Sequence, residues 1–395
     1  MDPPRVFTPQ GAAPEPAAVA QLRRCLEHPS AVRGALMADH HKGYSMPIGG
    51  VVAYDGMLSP SGVGFDIGCG NEAVLTDLAE RDVRGDLPGL MDAITSRISF
   101  GVGRSSDDPD AREHPVHDDP AWDDLPDWVR ALRPMARDQL GTVGGGNHYV
   151  NLMADEAGRV WVCNHFGSRG LGHRIATGFL NLAGGDPPDA RFQDDMDAPP
   201  RLIPARSELG AAYDAASRLA ARYALVGRRH VNDVVLGILG AAARERVNVH
   251  HNDYWHEEGM LVVRKGATPM RHGERAYIGG SMTDGAAIVE AVGGAEGHAD
   301  SLASAPHGAG RVMSRSRAKG NRKGTRPGEI SPAMMFSAVR DAGVELRGGD
   351  VDESPFVYRH LDPVLAGHAY LRVVHRLRPL GVAMAPSGVA DPYKD

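Results

Sequence analysis

The 395-residue chain is 42% hydrophobic and 24% charged, which excludes wholesale disorder and leaves enough chain to bury one large core or two modest ones. A formal net charge of -7 argues against indiscriminate coating of nucleic acid but says nothing against a local basic cleft. Cys25, Cys69 and Cys163 are odd in number and widely spaced, which excludes a disulfide framework and fits a reducing, cytoplasmic compartment.

In chain order, the opening MDPPRVFTPQGAAPEPAAVA has no apolar core behind a basic start. No later stretch approaches the ~20 apolar residues that span a bilayer, so neither export nor membrane insertion is expected. Val19, Leu22, Cys25 and Leu26 recur at three-to-four spacing and predict a helix over 16–28. VVAY at 51–54 reads as a strand, and the Asp- and Pro-rich stretch from Ser105 to Asp127 reads as a surface excursion that buries little. VWVC at 160–163 is strand-like, 206–228 is a helix with Leu209, Tyr213, Ala216, Leu219, Ala220 and Tyr223 on one face, and MLVVRK at 260–265 is a further strand. No solenoid-length repeat and no long low-complexity linker divides the chain, so a single domain over 1–395 is expected. The mixture is α+β, without regular βαβ alternation.

Five glycine-rich islands carry the chemistry. In SPSGVGFDIGCG, Asp66 and Cys69 stand three apart in a turn whose glycines let the backbone fold tightly round an ion. A carboxylate with a thiolate suits a transition ion such as Mn, Fe or Zn, although a lone cysteine is commonly a small buried hydrophobe. GTVGGGNHYVN brings Asn147 and His148, CNHFGSRGLGH brings His165 before Ser168 and Arg169, and NVHHNDYW brings His250 or His251 before Asn252. Singly, each histidine is more often a structural residue than a ligand. Together with Asp66 and Cys69 they supply the mixed N, O and S donors that one or two ions need. The fifth island, APHGAGRVMSRSRAKGNRKGTRPGE, follows His307 with a Gly308-Ala309-Gly310 turn whose amides could cradle phosphate. Arg311, Arg315, Arg317, Lys319, Arg322, Lys323 and Arg326 come next, with no acidic residue until Glu329. Such a run is either a solvated basic loop or a binding surface for an anion, of which a nucleic-acid backbone is the best match.

DHHKGYSMPIGG, SPSGVGFDIGCG, GTVGGGNH, HFGSRGLGH, HHN, RKGAT, GGSM and HGAGRVMSRS, in this order, resemble the consecutive motifs of the RtcB family of 3'-phosphate RNA ligases over roughly residues 35–385. The resemblance implies a single α+β domain, with mixed sheets and surrounding helices round a deep metal- and nucleotide-binding cleft. It implies that Asp66, Cys69, His148, His165 and His251 hold two Mn²⁺ ions with the Cys69 thiolate shared. It further implies that His307 attacks the α-phosphate of GTP to form a histidine-GMP phosphoramidate. Asn147, Asn252, Gly280, Ser281, Met282, Gly308, Ala309 and Gly310 would line the nucleotide pocket, and Arg169, Arg311, Arg315, Arg317 and Lys319 would meet RNA. Transfer of GMP to a 3'-phosphate and attack by a 5'-hydroxyl would then close the strand, and family members first open a 2',3'-cyclic phosphate. Neither the KxDG of lysine-nucleophile ligases nor a GxxxxGK[ST] loop occurs in the chain.

Three positions depart from the family pattern. Asn151 replaces a glutamate, Ala286 stands at the family's serine, and Met384 stands at a lysine, with eleven further residues to Asp395. A divergent member is therefore expected, with ATP competing with GTP unless Lys394 returns to the pocket. Two rival readings share the motifs: a metal-dependent phosphoesterase acting on RNA ends, and a non-catalytic sensor of RNA ends.

Overall fold

In the computed structural model, which describes residues 3–193, 195–321 and 325–388, the chain builds an α+β fold from two large sheets and the helices laid against them. The larger, eight-stranded sheet runs Arg275–Gly279, Ala286–Ala291, Leu371–Met384, Tyr149–Asp155, Arg159–Phe166, Gly70–Ala79 and Ala243–His250, with Glu345–Arg347 added in parallel to Leu371–Met384. Its other neighbours are antiparallel. Arg5–Val6, Ala31–His41, Ile48–Tyr54, Met260–Lys265 and Asn252–Glu257 form the five-stranded sheet.

Burial on both faces explains why the central strands read as continuous apolar runs. Along Arg159–Phe166, Val160 and Val162 point with Val74, Val150 and Leu152 into the layer filled by Val231, Val235 and Leu236. Trp161 and Cys163 point the other way, with Ala73, Met153, Tyr277 and Ile288, as the two-residue period of a strand requires.

The helix expected over 206–228 spans Glu208–Leu239. Its start is capped by Ser207, whose side chain accepts from the Gly210 amide at 3.0 Å. It continues through the polar RRHVND segment because Val231, Val235 and Leu236 keep the helical spacing, and it stops at Gly240 in the left-handed conformation, φ +63°. The first predicted helix is found over Pro16–Leu26, and MLVVRK is a strand over the residues read for it.

The expectation for 105–127 is corrected. That stretch forms short helical turns and places Ala111, Val116, Trp122 and Leu125 in the same core as Tyr213 and Tyr223. Trp122 is 1% exposed and donates from Nε1 to the Val116 carbonyl at 3.1 Å. Truncating so buried a ring costs ~3–5 kcal/mol, so the acidic residues between these anchors concealed a packed element. Among the described residues, no helix is long and apolar enough to cross a membrane.

Candidate functional site

One corner of the larger sheet gathers four separate segments. Gly70, Phe166 and His250 are registered side by side on adjacent strands, so the residues next to them, Cys69, His165 and His251, are brought together by strand pairing alone. Ahead of Cys69, the chain turns through Gly64 and Gly68, both with positive φ, and the Cys69 amide donates to the Asp66 carbonyl at 3.0 Å. The Gly68 amide donates to the Asn252 carbonyl and the His251 amide to the Cys69 carbonyl, each at 2.8 Å, docking this turn on the His-His-Asn segment. His148 arrives from the GGGNH loop at the head of Tyr149–Asp155.

The side chains then converge. Cys69 Sγ lies 3.3 Å from His165 Nε2 and 3.8 Å from His148 Nε2. His165 Nε2 and His251 Nε2 are 3.2 Å apart, and His148 Nε2 is 3.1 Å from an Asp66 carboxylate oxygen. Among the described residues, two groups have donor atoms within 4.8 Å of one another: Cys69, His165 and His251, and Asp66, Cys69 and His148. They overlap at Cys69. Of the two histidines in NVHHND, His251 faces this cluster, while His250 turns its Nδ1 towards Arg228 and the Gly68 carbonyl.

The donor chemistry fits metal ions. Burial, reinforced by neighbouring histidines, pushes His165 and His251 well below the ordinary imidazole range, so both are neutral with a lone pair to give. Burial opposes charge on Asp66, but the hydrogen bond and charge of His148 outweigh it and hold the carboxyl below its usual value. Nδ1 of His165 lies 3.1 Å from the Asn147 carbonyl and so carries the ring's proton, which leaves the Nε2 lone pair facing Cys69 and His251. Buried polar atoms normally have a partner, and a cation there would supply one.

His307 stands beside the cluster, its ring 4.7 Å from that of His251 between centroids. Its Nδ1 lies 2.7 Å from Asp39 Oδ2 and 2.9 Å from the Gly266 carbonyl. Both neighbours are acceptors, so Nδ1 carries the proton and the lone pair of the neutral ring is on Nε2. Asp39 also accepts from the amides of His307 and Gly308, at 3.1 and 3.3 Å. Full burial opposes its ionisation, yet His307 holds its carboxyl below the ordinary range. The Ala309 amide donates to the Gly279 carbonyl at 3.0 Å, tying the HGAG turn to the GGSM loop, and the Gly280 amide closes that loop on the Gly285 carbonyl at 2.7 Å.

A cavity of about 590 Å³ joins these features. Every candidate metal and nucleotide residue lines it, as do His307, Arg311 and Arg315, whereas Arg169, Arg317 and Lys319 do not. Arg169 donates instead to Thr142 and to the Gly101 carbonyl. The basic run is also less free than its sequence suggests. Arg311 bonds the Asp352 carbonyl at 2.7 Å, Arg315 pairs with Asp352 at 3.0 Å and with Glu353, Arg317 pairs with Glu329, and Lys319 pairs with Asp350 and Asp352 at 3.0 Å. Arg322 and Lys323 lie outside the described residues, as does Lys394.

Asp39 lies within DHHKGYSMPIGG but is not among the residues expected at the site, because an aspartate before two histidines gives no sign that it meets residue 307. Lys42 and Arg359 also line the cavity unanticipated, the latter donating to the Asp39 and Arg311 carbonyls. Asn151 and Tyr149 pair in register with Val382 and Met384, and all four line the cavity. Asn151 is 7% exposed and its Oδ1 has no hydrogen-bond partner. Ala286 does not line the cavity; it packs with Tyr277 and Leu377.

The model of the family tRNA-splicing ligase RtcB matches residues 21–125 and 123–385. RNA-splicing ligase RtcB of Escherichia coli K12 is 33% identical, over 87% of this chain and 88% of that protein. The tRNA-splicing ligases RtcB of Aeropyrum pernix and Thermococcus kodakarensis are each 30% identical, over 88% of this chain and 87% and 86% of theirs. The chain belongs to the RtcB family.

Replacing Cys69 by Ser or Asp66 by Ala should remove bound metal while the protein stays folded, since even changes behind the ligands cost on the order of 10- to 100-fold in affinity. Elemental analysis checks this, and an unchanged metal content in Cys69→Ser would make the thiol a packing residue.

Proposed function

We propose that this protein is a metal-dependent RNA ligase of the cytoplasm, working as one domain. It joins an RNA 3'-phosphate, or a 2',3'-cyclic phosphate that it first opens, to a 5'-hydroxyl through a nucleotide carried on His307. Relatives bearing the names RNA-splicing and tRNA-splicing ligase cover most of the chain. The observation that carries the reading is the pinning of His307 Nδ1 by Asp39 and Gly266 beside two ligand sets that share Cys69.

Asp66, Cys69, His148, His165 and His251 would hold two Mn²⁺ ions. When bound, these neutralise charge on the phosphate under attack. The chain's own residues account for the rest. Nε2 of His307 attacks the α-phosphorus of the triphosphate, an N–P bond forms, the bond to the bridging oxygen breaks and pyrophosphate leaves. The ring gains positive charge in this step, and the buried Asp39 carboxylate on Nδ1–H balances it. An oxygen of the RNA 3'-phosphate then displaces the histidine, which returns to its neutral tautomer. Attack by the 5'-hydroxyl oxygen forms the new phosphodiester, with loss of the nucleoside monophosphate and of the hydroxyl proton. Asn147, Asn252, Gly280, Ser281, Met282 and the Gly308-Ala309-Gly310 turn line the space for the nucleotide. Arg311 and Arg315 stand at its edge for RNA; Arg169, Arg317 and Lys319 would act farther out.

Incubation with nucleoside triphosphate and Mn²⁺ should add one nucleoside monophosphate to the protein, seen by intact-mass spectrometry. A phosphoramidate is acid-labile and tolerates alkali, so the adduct should vanish in acid and be absent from His307→Ala. Failure with every triphosphate would favour the phosphoesterase or the sensor.

Base choice follows from Asn151 and Met384, which line the cavity. The Asn151 amide offers one acceptor and one donor group, which fits the adenine edge, with its 6-amino donor and N1 acceptor, at least as well as guanine's. Met384 adds no charge there, and its side chain packs with Met282, Met335 and Val382. ATP should therefore compete with GTP for adduct formation. Asn151→Glu should move preference towards GTP by roughly ten- to a hundredfold, the ~1–3 kcal/mol of a charge-assisted hydrogen bond. A wild-type preference for GTP above about a hundredfold, unaltered by that substitution, would show that other residues read the base.

A further inference from the structure

Helix Glu208–Leu239 carries a fully buried arginine, Arg228, that belongs to neither ligand set. Its guanidinium donates to the Gly68 carbonyl at 2.8 Å, the Phe166 carbonyl at 2.9 Å, His250 Nδ1 at 3.0 Å and Asn248 Oδ1 at 2.9 Å. Among the described residues no carboxylate forms an ion pair with it. A buried cation without such a pair is costly, and an apolar side chain of similar volume would usually stabilise a fold better.

What the guanidinium touches points to its use. Gly68, Phe166 and His250 are the immediate chain neighbours of Cys69, His165 and His251, the members of one ligand set. His148 and its neighbours receive none of these bonds. A guanidinium is a rigid planar fork, so its bonds to the Gly68 and Phe166 carbonyls and to the His250 ring tie together three segments that come from distant parts of the sequence. Gly70 makes room for it: a Cβ there would stand 2.9 Å from Arg228 Cζ.

We infer that Arg228 is a positioning residue that preorganises Cys69, His165 and His251 for their ion. Its loss weakens the ion held there more than the ion held by Asp66, Cys69 and His148. The inference rests on the reading of this cluster as a metal centre.

The test titrates Mn²⁺ into the metal-free wild type, Arg228→Lys and Asn248→Ala, following uptake by calorimetry and the coupling of the ions by electron paramagnetic resonance. Metal-free melting temperature serves as the structural readout. Lysine keeps the charge but not the fork; Asn248→Ala removes the acceptor of Nε, together with a 3.4 Å bond from Asn248 to the Leu225 carbonyl, and keeps the test alive if the lysine variant does not fold. Wild type should bind two coupled ions. Arg228→Lys should bind one of them about ten- to a hundredfold more weakly, showing the spectrum of an isolated ion at concentrations that fill both wild-type sites, and Asn248→Ala should change in the same direction by less. Folded variants that bind both ions as wild type does, with only a lower metal-free melting temperature, would overturn the inference. Wild type that takes up no Mn²⁺ would overturn the metal reading beneath it.

Discussion

A single thiol, Cys69, stands within 3.3 Å of His165 Nε2 and 3.8 Å of His148 Nε2 and so belongs to two overlapping groups of donors. Crowding that many polar atoms into a buried corner is unfavourable unless something satisfies them, at ~1–3 kcal/mol for each orphaned group. Strand register brings Cys69, His165 and His251 together through Gly70, Phe166 and His250. The tight turn at Gly68 and the loop before Tyr149 then add Asp66 and His148. With both faces of the larger sheet filled by apolar side chains, these strand ends have little freedom to move apart.

His307 depends on the same corner while remaining outside either donor group. Its Nδ1 is committed to Asp39 and to the Gly266 carbonyl, which aims Nε2 by elimination. Asp39 lies on Ala31–His41 of the smaller sheet, and Gly266 follows Met260–Lys265 of the same sheet. The candidate nucleophile is thus oriented by one sheet and the candidate metal centre is assembled by the other. The cavity is lined by the metal candidates and His307 and also by Tyr149, Asn151, Val382 and Met384, with the Tyr149 ring 5.5 Å from that of His165.

Local chemistry was legible from the sequence where it was dense. Glycine turns flanking Asp66 and Cys69, and the histidines behind glycine runs, marked residues that do meet in space. Helix Pro16–Leu26 and strand Met260–Lys265 were legible because periodicity and β-branching agreed. Where meaning depended on a distant partner, the sequence was silent. Arg311, Arg315 and Lys319 read as a free basic run because Asp350, Asp352 and Glu353 approach them only in the fold. Asp39 and Arg228 gave no signal for the same reason, since their partners lie in other segments. The acidic stretch from Ser105 to Asp127 hid Trp122 and Val116 because composition averages over residues that face opposite ways.

Cys69 is proposed to join two ions. Diffraction from crystals grown with Mn²⁺, recorded at the manganese absorption edge, tests it most directly. Two anomalous peaks about 3.5–4 Å apart, the spacing of two-metal sites, are predicted, with Cys69 Sγ bonded to both, His165 and His251 on one, and Asp66 and His148 on the other. A single peak, or a pair that leaves Cys69 uncoordinated, would contradict the account.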